Sequence, residues 1–125
     1  MKLIRIQDTQ ELETPNGNFG TGLATSSKGA QELSVVRQRQ IPGGFNPLHT
    51  HDAEEVMAML EGKVTVSSEG QETSLEQGET LIIPAGLAHR VDNIGTEDAQ
   101  WLIISKVGVR FFRENGDEAL PGWAK

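Results

Sequence analysis

From Leu33 to Val107 the chain is built of short runs in which apolar and polar residues alternate. The runs are "LSVVRQRQI" (33–41), "EVMAML" (55–60), "KVTVSS" (63–68), "QETSLE" (71–76), "ETLIIP" (79–84) and "AQWLIISKV" (99–107). Alternation with a period of two is the mark of a strand with one buried face. Turn-forming residues separate the runs: Pro42-Gly43-Gly44, Glu61-Gly62, Glu69-Gly70, Gln77-Gly78, Ala85-Gly86 and Asn93-Ile94-Gly95. Spacing this even, with no helical periodicity, predicts an all-β barrel or sandwich. Residues 1–30 are polar and glycine-rich, suited to a loop, edge strands or a lid. The tail, 114–125, reads as irregular, although Leu120, Pro121 and Trp123 give it something to bury. With no internal repeat, the whole of 1–125 reads as a single domain.

Composition narrows the chemistry. The absence of cysteine excludes disulfides, thiolate metal sites and a cysteine nucleophile. A formal net charge of -7 disfavours nonspecific binding to nucleic acid or an anionic membrane surface. The opening "MKLIRIQDTQELET" does not read as a signal peptide, and no apolar run is long enough to span a bilayer, so the expectation is a cytoplasmic protein without membrane or nucleic-acid partners.

Two of the three histidines lie in "HTHDAEE" (49–55). In a strand, His49 and His51 present both imidazoles to one face with Cα atoms about 7 Å apart. Glu55 shares their parity but would lie about 13 Å from His51 on a straight strand, so Asp52 and Ala53 must bend for it to reach the same point. His89 follows the run that ends at Pro84, and an antiparallel return would bring it alongside the pair. Three imidazoles and a carboxylate suit a divalent transition metal (Fe, Mn, Ni, Co, Cu or Zn) rather than calcium or magnesium. Surface decoration is the bland alternative, but every histidine in the chain fits the one constellation.

These residues carry a resemblance. Gly43, His49, His51, Glu55 and Gly62 match the first motif of the cupin family, over 43–62. Gly78, Pro84, Gly86, His89 and Asn93 match the second, over 78–93. The resemblance implies an antiparallel jelly-roll β-barrel of six to eight strands with one metal ion inside one end. It assigns His49, His51, Glu55 and His89 as metal ligands and leaves Glu54 outside. It makes Gly43, Gly62, Gly78 and Gly86 turn residues, with Pro84 ending a strand and Asn93 capping the turn after His89. Small members of the family resemble dimers, so a homodimer is expected.

An octahedral ion with four protein ligands keeps two positions open, and its net positive charge favours a small anionic chelator. Glu55 is the candidate catalytic residue, able to move a proton. The expected function is a metal-dependent dioxygenase acting on a small oxygenated or aromatic molecule. The alternatives are a redox-neutral isomerase or lyase, or a binding module without turnover. Met57, Met59, Trp101 and Ile103 are candidates for the pocket wall, with ordinary core filling the competing role for the methionines and Trp101. Arg37 and Arg39 share a face. They would anchor a carboxylate if inward and form a solvated edge if outward.

Overall fold

The computed structural model describes residues 1–119 and 121–124; Leu120 lies outside them. Strands β1 (Glu11–Thr14), β2 (Asn18–Ala24), β3 (Leu33–Gln40), β4 (Phe45–His51), β5 (Glu55–Glu61), β6 (Lys63–Ser68), β7 (Gln71–Glu76), β8 (Thr80–Ile83), β9 (His89–Asp92), β10 (Ala99–Lys106), β11 (Phe111–Arg113) and β12 (Glu118–Ala119) follow one another with no α-helix among the described residues. They form two six-stranded antiparallel sheets, ordered β1-β2-β3-β10-β5-β8 and β12-β11-β4-β9-β6-β7. From β3 to β10 the chain passes repeatedly between the sheets, as in a jelly roll. Val36, Met57, Met59, Ile83, Trp101 and Ile103 from the first sheet meet Val64, Val66, Leu75 and Val91 from the second in one core.

The alternating runs become strands because one parity is buried. Along β3, Ser34, Val36, Gln38 and Gln40 are buried while Val35, Arg37 and Arg39 face outward. The strands number twelve rather than six to eight. The extra pairs come from the two ends: β1 and β2 extend the first sheet, and β11 and β12 extend the second. The segment expected to be an irregular tail thus carries β12 and a closing 3-10 turn, Gly122–Ala124.

The two motifs are stitched to each other by backbone hydrogen bonds. The Gly43 N–H donates to the Asn93 carbonyl (2.9 Å), the Asn93 N–H to the Gly44 carbonyl (3.0 Å), and the Gly86 N–H to the His51 carbonyl (2.8 Å). Gly43, Gly62, Gly78 and Gly86 all have positive φ. Gly62 also needs its missing side chain, because a Cβ there would come 2.7 Å from the Asp98 carbonyl oxygen. Asn93 is 1% exposed; its Nδ2 donates to the Gln40 and Glu97 carbonyls (both 2.9 Å), and its Oδ1 accepts from the Gly95 N–H (3.0 Å). It caps the 93–97 turn and ties it to β3.

The tail folds back on the domain through Trp123. Its ring lies over Gly20, where an added Cβ would collide with Cδ1, and meets Phe111 edge-on at 6.0 Å between centroids. Gly20→Ala is therefore expected to destabilise the protein by about 1–3 kcal/mol through overpacking. In a Trp123→Ala background the same change should cost less than half as much. Urea unfolding of the two single variants and the double variant reads this coupling.

Candidate metal centre

Strand β4 lies between β11 and β9, which places its histidines inside the second sheet. His49 stands directly opposite His89 in the β4–β9 ladder, and the register shifts between Asn46 and His49. Pro47, which has no N–H to donate, sits in that irregular stretch. The ring centroids of His49, His51 and His89 are 4.9, 4.3 and 4.8 Å apart, taking the pairs 49–51, 49–89 and 51–89. Each ring offers one nitrogen, and these nitrogens lie within 4.8 Å of one another.

Glu55 reaches the same place from the other sheet. After His51 the chain bends at Asp52-Ala53 and crosses over, so Glu55 opens β5 facing inward. The bend is clasped by Arg110, whose N–H donates to Asp52 Oδ1 (2.8 Å) and whose carbonyl accepts from the Asp52 N–H (3.1 Å). Glu55 is 5% exposed, with Oε2 2.7 Å from His51 Nε2, while Glu54 is exposed.

The local backbone sets the histidine tautomers. His49 Nδ1 lies 2.8 Å from the Pro47 carbonyl, and His89 Nδ1 lies 2.9 Å from the Leu87 carbonyl. A carbonyl only accepts, so Nδ1 carries the hydrogen in both rings and Nε2 keeps its lone pair. Burial pushes the His49 pKa down to about 4, reinforced by the neighbouring His89, and burial lowers that of His89 too. Both rings are thus neutral at pH 7, the state a metal ligand requires.

The donor set fits a divalent transition metal on two observations. His51 is 2% exposed, yet neither of its ring nitrogens makes a hydrogen bond among the described residues. Its Nε2 lies 2.7 Å from Glu55 Oε2 without a hydrogen bond between them. Glu55 in turn has no lysine or arginine partner among the described residues. A buried carboxylate and a buried unpartnered imidazole are costly alone, and a shared cation offsets both.

His49, His51 and Glu55 open into a cavity of about 710 Å³, large enough for a small organic molecule. His89 lies behind them. Of the expected wall residues, Ile103 lines this cavity. Met57, Met59 and Trp101 are 1–3% exposed in the apolar cluster and do not line it. The wall instead includes Phe111, Phe112 and Trp123, with Asn18, Gln38 and Asn46. Phe111 meets His51 edge-on at 5.1 Å. Arg37 and Arg39 face away from the cavity. Arg39 is held outside by Glu11 (2.8 Å) and Asp98 (3.0 Å) and lies 4.1 Å from the centroid of the Phe19 ring. The glutamine signal was available in the sequence, because Gln38 and Gln40 share the phase of Val36.

Residues 36–105 match the family model described as Cupin domain. Auxin-binding protein 1 of Arabidopsis thaliana is 31% identical over 117 residues, covering 80% of this chain and 59% of that protein. Oxalate oxidase GF-3.8 of Triticum aestivum is 33% identical over 114 residues, covering 82% and 50%. The chain spans about half the length of these curated relatives. Among solved structures, the polyketide cyclase RemF from Streptomyces resistomycificus superimposes with a TM-score of 0.77 at 18% identity, covering 99% of this chain and 89% of that one.

Three substitutions test the centre. His51→Ala should lower transition-metal affinity by more than about tenfold, since it deletes a ligand. Glu55→Gln should weaken binding by removing the charged donor, and Glu54→Gln should leave it within about twofold. Metal content after equilibrium dialysis at limiting metal ranks the variants, and equal losses from the two glutamine substitutions would contradict the assignment.

Proposed function

The chain belongs to the cupin family, and on that premise we propose that it is a metal-dependent enzyme, a dioxygenase acting on a small oxygenated or aromatic molecule. The observation that carries the reading is the convergence of three imidazoles and Glu55 at a cavity of about 710 Å³, which His49, His51 and Glu55 line. His49, His51, His89 and Glu55 would hold one divalent ion. That ion would supply a Lewis-acid centre for a chelating, anionic substrate. Glu55, inside hydrogen-bonding range of a substrate hydroxyl bound there, accepts its proton. Phe111, Phe112 and Trp123 give an aromatic substrate faces to pack on and keep water from the reacting atoms. The name of the oxalate oxidase relative supports oxygen-consuming chemistry.

A second reading, a binding module without turnover, is favoured by the name of the auxin-binding relative. Oxygen consumption separates the two. Protein reconstituted separately with Fe, Mn, Ni, Co, Cu and Zn is screened in an oxygen electrode with catechols, enediols, keto acids and oxalate. Uptake is expected with at least one metal, and Glu55→Gln should lower the rate at least about tenfold. Substrate loss without oxygen uptake would make the protein a redox-neutral isomerase or lyase, and tight binding with neither would make it a binder.

The partner we propose is a second copy of the chain. Val35, Ile104, Val56 and Ile82 stand in register across β3, β10, β5 and β8 on the outer face of the first sheet, and Ile82 is 64% exposed. An apolar row four strands wide is the kind of surface that sheets bury by pairing. Light scattering should give twice the chain mass for the wild type, and Ile82→Glu should shift the population to monomer.

A further inference from the structure

Three carboxamides of the cavity wall, Asn18, Gln38 and Asn46, and Gln40 behind them form one hydrogen-bonded network in which each orientation fixes the next. Asn18 is 4% exposed, and its Nδ2 donates to two backbone carbonyls, Pro15 (2.9 Å) and Phe45 (2.8 Å). Carbonyls accept only, so the amino end of Asn18 must point there and Oδ1 must point the other way. Asn18 Oδ1 then accepts from Gln38 Nε2 (2.8 Å) and Gln40 Nε2 (2.9 Å). The second hydrogen of Gln38 Nε2 goes to Asn46 Oδ1 at 2.9 Å. Two backbone carbonyls thereby decide which way Asn18, Gln38 and Asn46 face.

Two groups have only a long hydrogen bond to each other. Gln38 Oε1 and Asn46 Nδ2 are 3.5 Å apart, at the outer limit of a hydrogen bond, and have no other partner among the described residues. Both residues line the cavity that also holds His49, His51 and Glu55. The cavity therefore presents one acceptor and one donor side by side, with polarity set by the network behind them.

We propose that Gln38 and Asn46 are specificity-determining residues that read a neutral hydroxyl on the ligand, a phenol or enol remote from the atoms that chelate the metal. This rests on the metal-centre reading and adds a second point of recognition to it. A hydroxyl donates to Gln38 Oε1 while it accepts from Asn46 Nδ2, and so matches both. A carboxylate has no hydrogen to give and meets the lone pairs of Gln38 Oε1. An ammonium group has nothing to offer Asn46 Nδ2. A methyl group excludes water and leaves the two amide ends with only their long contact to each other, the situation in which polar sites discriminate strongly. The ligand is thus acidic or chelating at one end and an uncharged hydroxylic molecule at the other.

The test uses 2,3-dihydroxynaphthalene and its derivatives carrying hydroxyl, methyl or carboxylate at carbon 5 or carbon 6. Titration calorimetry is run on protein loaded with the best-bound metal and again after stripping. At one of the two positions the hydroxyl probe should bind about tenfold more tightly than its methyl and carboxylate counterparts. Asn46→Ala should cut that preference to about twofold and weaken the hydroxyl probe more than it weakens the unsubstituted diol. Asn46→Asp keeps the acceptor for Gln38 but replaces the free donor with an acceptor, so it should also lose the preference and should reject the carboxylate further. In nitrogen-15 spectra, the side-chain NH₂ of Asn46 should shift with the hydroxyl probe and not with the methyl probe. Equal binding of hydroxyl and methyl probes at both positions overturns the proposal, as does an Asn46→Ala variant that weakens all probes alike. The metal reading fails by a different sign: affinity for the diol that is unchanged when the metal is stripped.

Discussion

The pairing of His49 against His89 is the contact on which the rest of the site depends. The two residues face each other across β4 and β9, 4.3 Å between ring centroids. Side chains in a strand alternate between faces, so a slip of one residue in either strand would turn its imidazole out of the interior and disperse the ligand set. The register is held from both ends. Gly43, Gly44 and Asn93 exchange backbone hydrogen bonds at one end, and the His51 carbonyl takes the Gly86 N–H at the other. The residues that look like mere turns in the sequence thus secure the alignment of the ligands, and the positive φ of Gly43 and Gly86 is part of how the chain achieves it.

Much of this was legible in the residue pattern because strand alternation and turn residues act locally. The runs at 63–68 and 71–76 are strands with those bounds, and 33–41 and 99–107 are each one residue longer than β3 and β10. The need for a bend at Asp52-Ala53 followed from strand geometry alone. That the bend carries Glu55 to the opposite sheet did not, because crossing between sheets is a matter of tertiary topology. Strands β1, β2, β11 and β12 were obscure for a related reason. They are short or glycine-containing edge elements whose pairing is decided by distant partners rather than by their own composition. The pocket wall was the least legible part. Met57, Met59 and Trp101 have inward parity and are buried, but parity says only which face a residue joins, not how far along the barrel the cavity extends.

Charge is distributed in a way that composition alone would not suggest. Arg39 is engaged outside by Glu11 and Asp98, which hold its guanidinium well above the usual arginine range, with Glu11 the stronger influence. The phase that places the arginines outside turns Gln38 and Gln40 inward. The cavity is therefore lined by the neutral amides of Asn18, Gln38 and Asn46 on β2, β3 and β4, with Glu55 beside the histidines. Holding that network has a cost, since Gln40 Oε1, behind the wall, is buried and without a hydrogen-bond partner among the described residues, a burden of about 1–3 kcal/mol.

The way His49 and His89 are oriented has a consequence for what else in the protein can change. In each case the carbonyl that fixes the tautomer belongs to the residue two positions earlier in the same chain segment. No side chain from the cavity wall takes part in those two contacts. The tautomer of each ring is therefore set locally, by a three-residue stretch of its own backbone. The tautomers of these two rings are thus insulated from the side chains that line the cavity. A lineage can exchange amides for aromatics, or small side chains for large ones, around an unaltered pair of imidazoles, and acquire new selectivity without having to reinvent the chemistry.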